Sequence, residues 1–237
     1  MLFRSWCNRR FKNVWLEPIA AWCRAHDLDL LGHMSPEDDP IQAVNLVGDT
    51  LPLMRGLTFP GFDLIIPAVG DEHHPIINLG VVSATSVQQQ QCSAGVLTET
   101  LGCAGREIDG LTARRIVLWQ TLMGVNVMVL HAAYLSMRDL RAIDAPPDVS
   151  PDAAVWPEIA ELHHHVVAIQ EHLRGATQIA PVAVLWPIRS FQALNLDWQS
   201  DESGMRRGLA NLLLELLDRD RKSTRLNSSH LVISYAV

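Results

Sequence analysis

Glu99 closes the apolar run GVLTE at 95–99 and is followed by the small, glycine-bearing stretch TLGCAG. A carboxylate at the end of a buried strand suits nucleophilic attack on an anomeric carbon. The competing reading is a glutamate that caps a helix or sits in a salt bridge. Glu37 lies four residues beyond His33, in the loop SPEDDP. Taken by themselves, Glu37 and Glu99 could divide acid/base and nucleophile work between them; a solvated loop acid, or a ligand for a sugar hydroxyl, competes for Glu37. His33 and His131 each end an apolar run, and each suits a hydrogen bond to a hydroxyl or a grip on a carboxylate; a buried, satisfied histidine is the alternative. Tyr134, three residues past His131, is a contact candidate for the same ligand. Asp38 and Asp39 read as solvated or helix-capping. Catalytic Glu99 and ligand-binding His33, Glu37, His131 and Tyr134 form the candidate set.

These residues need a frame that brings their strand ends together. Short apolar runs occur at 28–33 (LDLLGH), 62–66 (FDLII), 95–99 (GVLTE) and 125–130 (VNVMVL). Between them, 40–56, 77–91 and 111–124 carry helical spacing, as does 11–26 ahead of the first run, where Pro18 kinks or begins a helix. Continuous apolar strands alternating with helices predict a parallel sheet covered by helices. Periodicity leaves a barrel and an open doubly wound sheet both allowed. No GxGxxG follows any strand, which lowers the nucleotide-binding form, and no cofactor is expected. In a β/α barrel, function sits at the carboxyl ends of the strands, where His33, Asp63 to Pro67, Glu99 and His131 fall. The proline-rich stretch before Trp156 ends this unit. A helix over 155–173, a strand in APVAVLWP at 180–187 and a helix over 203–220 then begin a further α/β domain.

The 237-residue chain is 48% hydrophobic with a formal net charge of −7. That balance argues against a nucleic-acid partner, which needs a basic face. No apolar stretch reaches the roughly 18 residues of a membrane span, so no membrane partner is expected. Cys7, Cys23, Cys92 and Cys103 form no CxxC pair and read as free thiols. No metal is expected: His73 and His74 are adjacent on a loop, and His163 to His165 point roughly 100° apart around a helix. Trp119 reads as core. Oligomeric state is not legible.

Both ends read as foreign. Residues 222–237, KSTRLNSSHLVISYAV, resemble translated sequencing-adapter read-through, although LVISYAV has strand composition; the opening MLFRS resembles the matching artefact. Residues 1–5 and 222–237 are accordingly set apart from fold reasoning. A partial barrel is expected over 6–150 and the post-barrel helix and following domain over 151–221. With the start not native, cytoplasm, periplasm and secretion in a bacterium all stay open.

The segments DLLGHMSPED at 29–38, FPGFDLI at 59–65, SATSVQQQ at 83–90 and GVLTETLGCAG at 95–105 resemble the barrel glycoside hydrolases of clan A. MGVNVMVLHAAYLS at 123–136 and PPDVSPDAAVWPEIAELHHHV at 146–166 continue the likeness, nearest to bacterial proteins distantly related to β-galactosidases and α-L-rhamnosidases. The resemblance implies the C-terminal half of a (β/α)8 TIM barrel followed by the start of an α/β domain, with strands five to eight ending at His33, in the PGFD segment, at Glu99 and at His131. It implies that Glu99 is the nucleophile of a retaining glycoside hydrolase acting on a carbohydrate substrate. It places the acid/base on strand four, before residue 1, so the chain alone is expected to be inactive. A carbohydrate-binding barrel without catalysis and a β/α hydrolase of another class are the alternatives.

Overall fold

The computed structural model describes residues 2–65, 69, 77–91, 94–105, 108–143, 147–176, 182–194, 204–223 and 231–234. The chain opens with helix α1 (Leu2–Phe11), a π-helical turn over Lys12–Leu16 and helix α2 (Glu17–Ala25). Pro18 occupies the first turn of α2, where a missing N–H costs nothing, so the helical run passes through it. Then come β1 (Leu31–Gly32), α3 (Pro40–Leu46), α4 (Thr50–Met54), β2 (Phe59–Leu64), α5 (Ile77–Gln91), β3 (Leu97–Thr100), α6 (Gly110–Leu122) and β4 (Val127–Leu130). The stretch expected as one helix over 40–56 is two helices, because Asp49 caps the second after the turn at Gly48, whose φ is +94°.

The four strands form one open, curled parallel sheet in the order β1-β2-β3-β4. Leu31 pairs with Phe59, Gly61 with Leu97, and Leu97 with Val127. This is a half-barrel sheet of β/α units, as the alternation of elements predicts. The eight-stranded TIM barrel of the resemblance needs correcting. A closed barrel requires every strand to be paired on both edges; among the described residues β1 and β4 are each paired on one edge only.

The pleat sorts the side chains. Phe62, Leu64, Thr98 and Thr100 are buried on the face that the helices cover. Phe62, Leu64, Leu79, Val82, Ile116 and Val96 belong to one core, against which Trp119 packs as expected. The opposite, concave face carries Asp63, Glu99 and Val129, which lie in register on adjacent strands. Those three positions form a row near the carboxyl ends of the strands.

Beyond the sheet lie a short 3-10 turn (Asp139–Ile143), α7 (Trp156–Leu173), β5 (Val182–Leu185), α8 (Ile188–Leu194), α9 (Met205–Ser223) and β6 (Leu231–Ser234). β5 pairs in parallel with β6 in a separate two-stranded sheet, so further α/β structure follows the half-barrel. At the other end, Arg4 donates to the Val44 carbonyl at 2.8 Å, and Ser5 hydrogen-bonds the Gln192 side-chain oxygen at 3.1 Å.

Candidate active site

Glu99 stands at the third position of β3, its side chain about one-third exposed on the concave face. The chain turns away immediately afterwards. Leu101 takes a left-handed backbone with φ of +67°, and its side chain is buried in the core, anchoring the turn. The Cys103 N–H donates to the Ile65 carbonyl at 2.6 Å, tying the following loop to the end of β2. The carboxylate is therefore presented from a fixed turn rather than a free loop.

His33 follows β1 directly. Its Nε2 lies 3.1 Å from Glu99 Oε2, and its Nδ1 lies 3.1 Å from Glu37 Oε1. The Glu37 carboxylate is buried, at 1% exposure. Its Oε1 also accepts from the Met34 N–H, and its Oε2 accepts from the Asp63 N–H at 3.3 Å. Glu37 thus reaches from the loop after β1 to the backbone of β2, and its side chain faces protein rather than solvent. His131, directly after β4, brings Nε2 to 3.8 Å from Glu99 Oε1. The backbone ladder continues to this point, with the His131 N–H donating to the Thr100 carbonyl at 2.9 Å.

Of the sequence-predicted residues, the structure brings together His33, Glu37, Glu99 and His131. Tyr134 finds its described partner elsewhere: the Arg141 guanidinium lies 5.0 Å from the centre of its ring, and its hydroxyl is buried without a hydrogen-bond partner.

Two acids acquire an importance that the sequence reading did not give them. Asp63 neighbours Glu99 across the β2–β3 ladder, and its Oδ1 is buried without a partner. Burial, then the charge of Glu99, push its carboxyl up to about 6, against the pull of His33. The signal was present in FDLII: an acid inside an apolar strand, one strand over from a glutamate. Asp38 is pushed up to about 7 by burial and by the neighbouring charges of Asp39 and Glu37. Nothing in its loop sequence distinguishes it from a solvated acid. Asp39, in contrast, caps α3 as expected, accepting from the Ile41 and Gln42 N–H groups. His33 is held charged well beyond neutrality, up to about 9, chiefly by its hydrogen bond to Glu37 and against the cost of burial.

Among the described residues, no group of three or more His, Cys, Asp or Glu side chains is arranged to hold a metal ion. His163 to His165 lie exposed on α7, while His73 and His74 fall outside the described residues. Cys7, Cys23 and Cys103 are free thiols; Cys92 falls outside the described residues. Among the described residues, no helix is long and apolar enough to cross a membrane. A cavity of about 970 Å³ opens at the other end of the sheet, lined by Gln88, Gly95, Asn126 and Gln170 among others, and it includes none of the candidate residues.

The strand ends thus gather three carboxylates around His33, with Glu99 more accessible than the buried Glu37 and His131 beside it. Such a set can fix a carboxylate for nucleophilic work or hydrogen-bond a polyhydroxylated molecule. The clan A resemblance does not survive comparison as a family assignment. Its short segments coincide with strand ends and helix starts that any parallel β/α unit displays. No family model matches the chain, and neither a curated protein nor a solved structure matches it.

Proposed function

We propose that the carboxyl ends of β1 to β4 form one half of a site for a sugar-like, polyhydroxylated ligand, with Glu99 as the carboxylate that attacks the acetal carbon in hydrolysis of an O-glycosyl bond. The observation that carries this reading is the geometry of Glu99. One oxygen is held by His33 at 3.1 Å, and the other faces His131 at 3.8 Å on an open concave face. Retaining hydrolysis needs an ionised attacker and a separate proton donor. Glu37 does not suit the donor's work, because its carboxylate is buried and accepts hydrogen bonds on both oxygens. In this proposal Glu37 is not that donor, and the chain binds its ligand without turnover. His131 then borders the ligand on the β4 side. The same reading divides the chain into the partial barrel over 6–150 and a following unit over 151–221.

A second reading, carbohydrate binding without chemistry in any context, is favoured by one observation: Glu37, the acid nearest to Glu99 through His33, is committed to internal contacts. Ligand-observed saturation-transfer NMR with a panel of monosaccharides and cationic iminosugars separates the readings. The expected result is iminosugar binding in the millimolar range that Glu99→Gln abolishes, with no release of phenol from aryl glycosides. Sugar binding indifferent to Glu99→Gln favours the second reading. Absence of binding across the panel overturns both.

A further inference from the structure

We infer that Glu37 and His33 form a positioning pair, in which buried Glu37 holds His33 as an imidazolium and His33 in turn fixes one oxygen of Glu99, leaving the other free to react. The structural pair stands by itself; the reacting role of the free oxygen rests on the proposed function.

The argument begins with donors and acceptors. A neutral imidazole has one donor nitrogen and one acceptor nitrogen. Both nitrogens of His33 face carboxylate oxygens at 3.1 Å, and an ionised carboxylate only accepts. Both contacts are hydrogen bonds only when both nitrogens carry a proton. With both carboxylates ionised, hydrogen-bond stoichiometry makes His33 a cation between two anions, and the upward push on its titration agrees with it.

Glu37 is the anchored carboxylate of the two. Its carboxylate is 1% exposed and accepts from the Met34 N–H, the Asp63 N–H and His33. Several donors converging on one carboxylate remove its rotational freedom. Glu37 consequently acts through His33 and does not touch the ligand. The charged groups facing His33 are Glu37 from the loop after β1, Asp63 from β2 and Glu99 from β3, with His131 after β4 facing the far oxygen of Glu99. Three acids surround one ring, so the cation is over-compensated by its surroundings.

For Glu99 the consequence is asymmetry. Oε2 is fixed by a charge-assisted bond, while among the described residues Oε1 has only the longer His131 contact at 3.8 Å. A carboxylate that must attack one carbon benefits from one oxygen that cannot rotate and one that is free.

The test needs no ligand. Hydrogen–deuterium exchange at the His33 ring carbon, read by tandem mass spectrometry across pH in the full 237-residue chain, reports the ring's titration at micromolar concentration. The expected midpoint is near 9. Glu37→Gln should lower it by at least one pH unit, and Glu99→Gln by a smaller amount, with the circular dichroism unchanged. If Glu37→Gln fails to fold, Glu99→Gln, altered at a partly exposed position, still reads the pair through the smaller downward shift. A wild-type midpoint near the ordinary histidine value overturns the pair, as does a midpoint that neither variant moves. A midpoint near 9 that both variants lower, in a chain that binds no sugar, upholds the pair and removes the proposed function instead.

Discussion

Asp63 sits next to Glu99 on the concave face with Oδ1 buried and unpartnered, so its charge is opposed both by burial and by its neighbour. A carboxyl raised from 3.8 to about 6 in the folded chain stabilises the fold while it is protonated. That contribution is complete below about pH 4 and is lost as pH rises through about 6. Asp63→Asn imitates the protonated acid at every pH. We expect it to leave stability unchanged near pH 4 and to raise it by about 1–2 kcal/mol at pH 8, after allowing for solvent screening of a half-buried group. Urea unfolding at the two pH values checks this; equal effects at both would exclude electrostatics as the cause. At this scale the sequence was informative where a polar residue ends an apolar run. Glu99, His33 and His131 were legible for that reason, and they meet in space. The role of Glu37 was not legible, because a loop sequence does not reveal that a side chain folds back under the strand it follows. Asp63 was visible as a strand-end acid, but its lost solvation depends on which face of the pleat it occupies.

The site's loop is held by the element that follows it. Asp39 caps α3 through Oδ1, which accepts from the Ile41 N–H at 2.9 Å and the Gln42 N–H at 3.1 Å. Its Oδ2 accepts from Arg206 of α9 at 2.8 Å, fastening that late helix to the loop that carries Glu37. Loss of a buried cap costs about 1–2 kcal/mol, and loss of the ion pair with Arg206 adds to it. We expect Asp39→Ala to cost about 2–3 kcal/mol. Asp39→Asn, which keeps the capping oxygen and loses the charge, should cost about 1 kcal/mol. Chemical denaturation of the two variants decides between them: equal losses would mean that the ion pair, not the cap, secures the loop. The cap was readable from the aspartate–proline step, whereas Arg206, 167 residues away, was not. Helices α5, α6 and α7 were legible almost to their ends because each is long and lies between an apolar strand and a turn-forming stretch. β1 was not: a six-residue apolar run yields a two-residue strand, since only Leu31 and Gly32 reach the ladder with β2.

At the scale of the whole molecule, alternation of short apolar strands with helices was enough to predict parallel β/α units. Closure was beyond it, because local patterns are identical in an open sheet and a closed one. The open edges have physical consequences. β4 carries Val129 at 48% exposure and β1 carries Leu31 at 49%, and each strand is paired on one side only among the described residues. The first helices add Phe3, Trp6, Trp15 and Trp22, all more than half exposed. Unpaired edge backbone beside apolar side chains is a template for association with another chain. Acidic character, at a formal net charge of −7, opposes this only over the Debye length, about 10 Å at 0.1 M salt. Added salt should therefore strengthen association rather than weaken it. We expect sedimentation velocity to show weight-average mass rising with protein concentration, more steeply at 0.5 M than at 0.05 M sodium chloride. Val129→Lys puts a charge on the concave face of the edge strand and should shift the rise to higher concentration. It should do so without lowering the free energy of unfolding by more than about 0.5 kcal/mol, since the position is about half exposed. A chain that stays monomeric at both salt concentrations and unfolds in a single cooperative transition would show that the edges are protected, and the half-barrel self-sufficient.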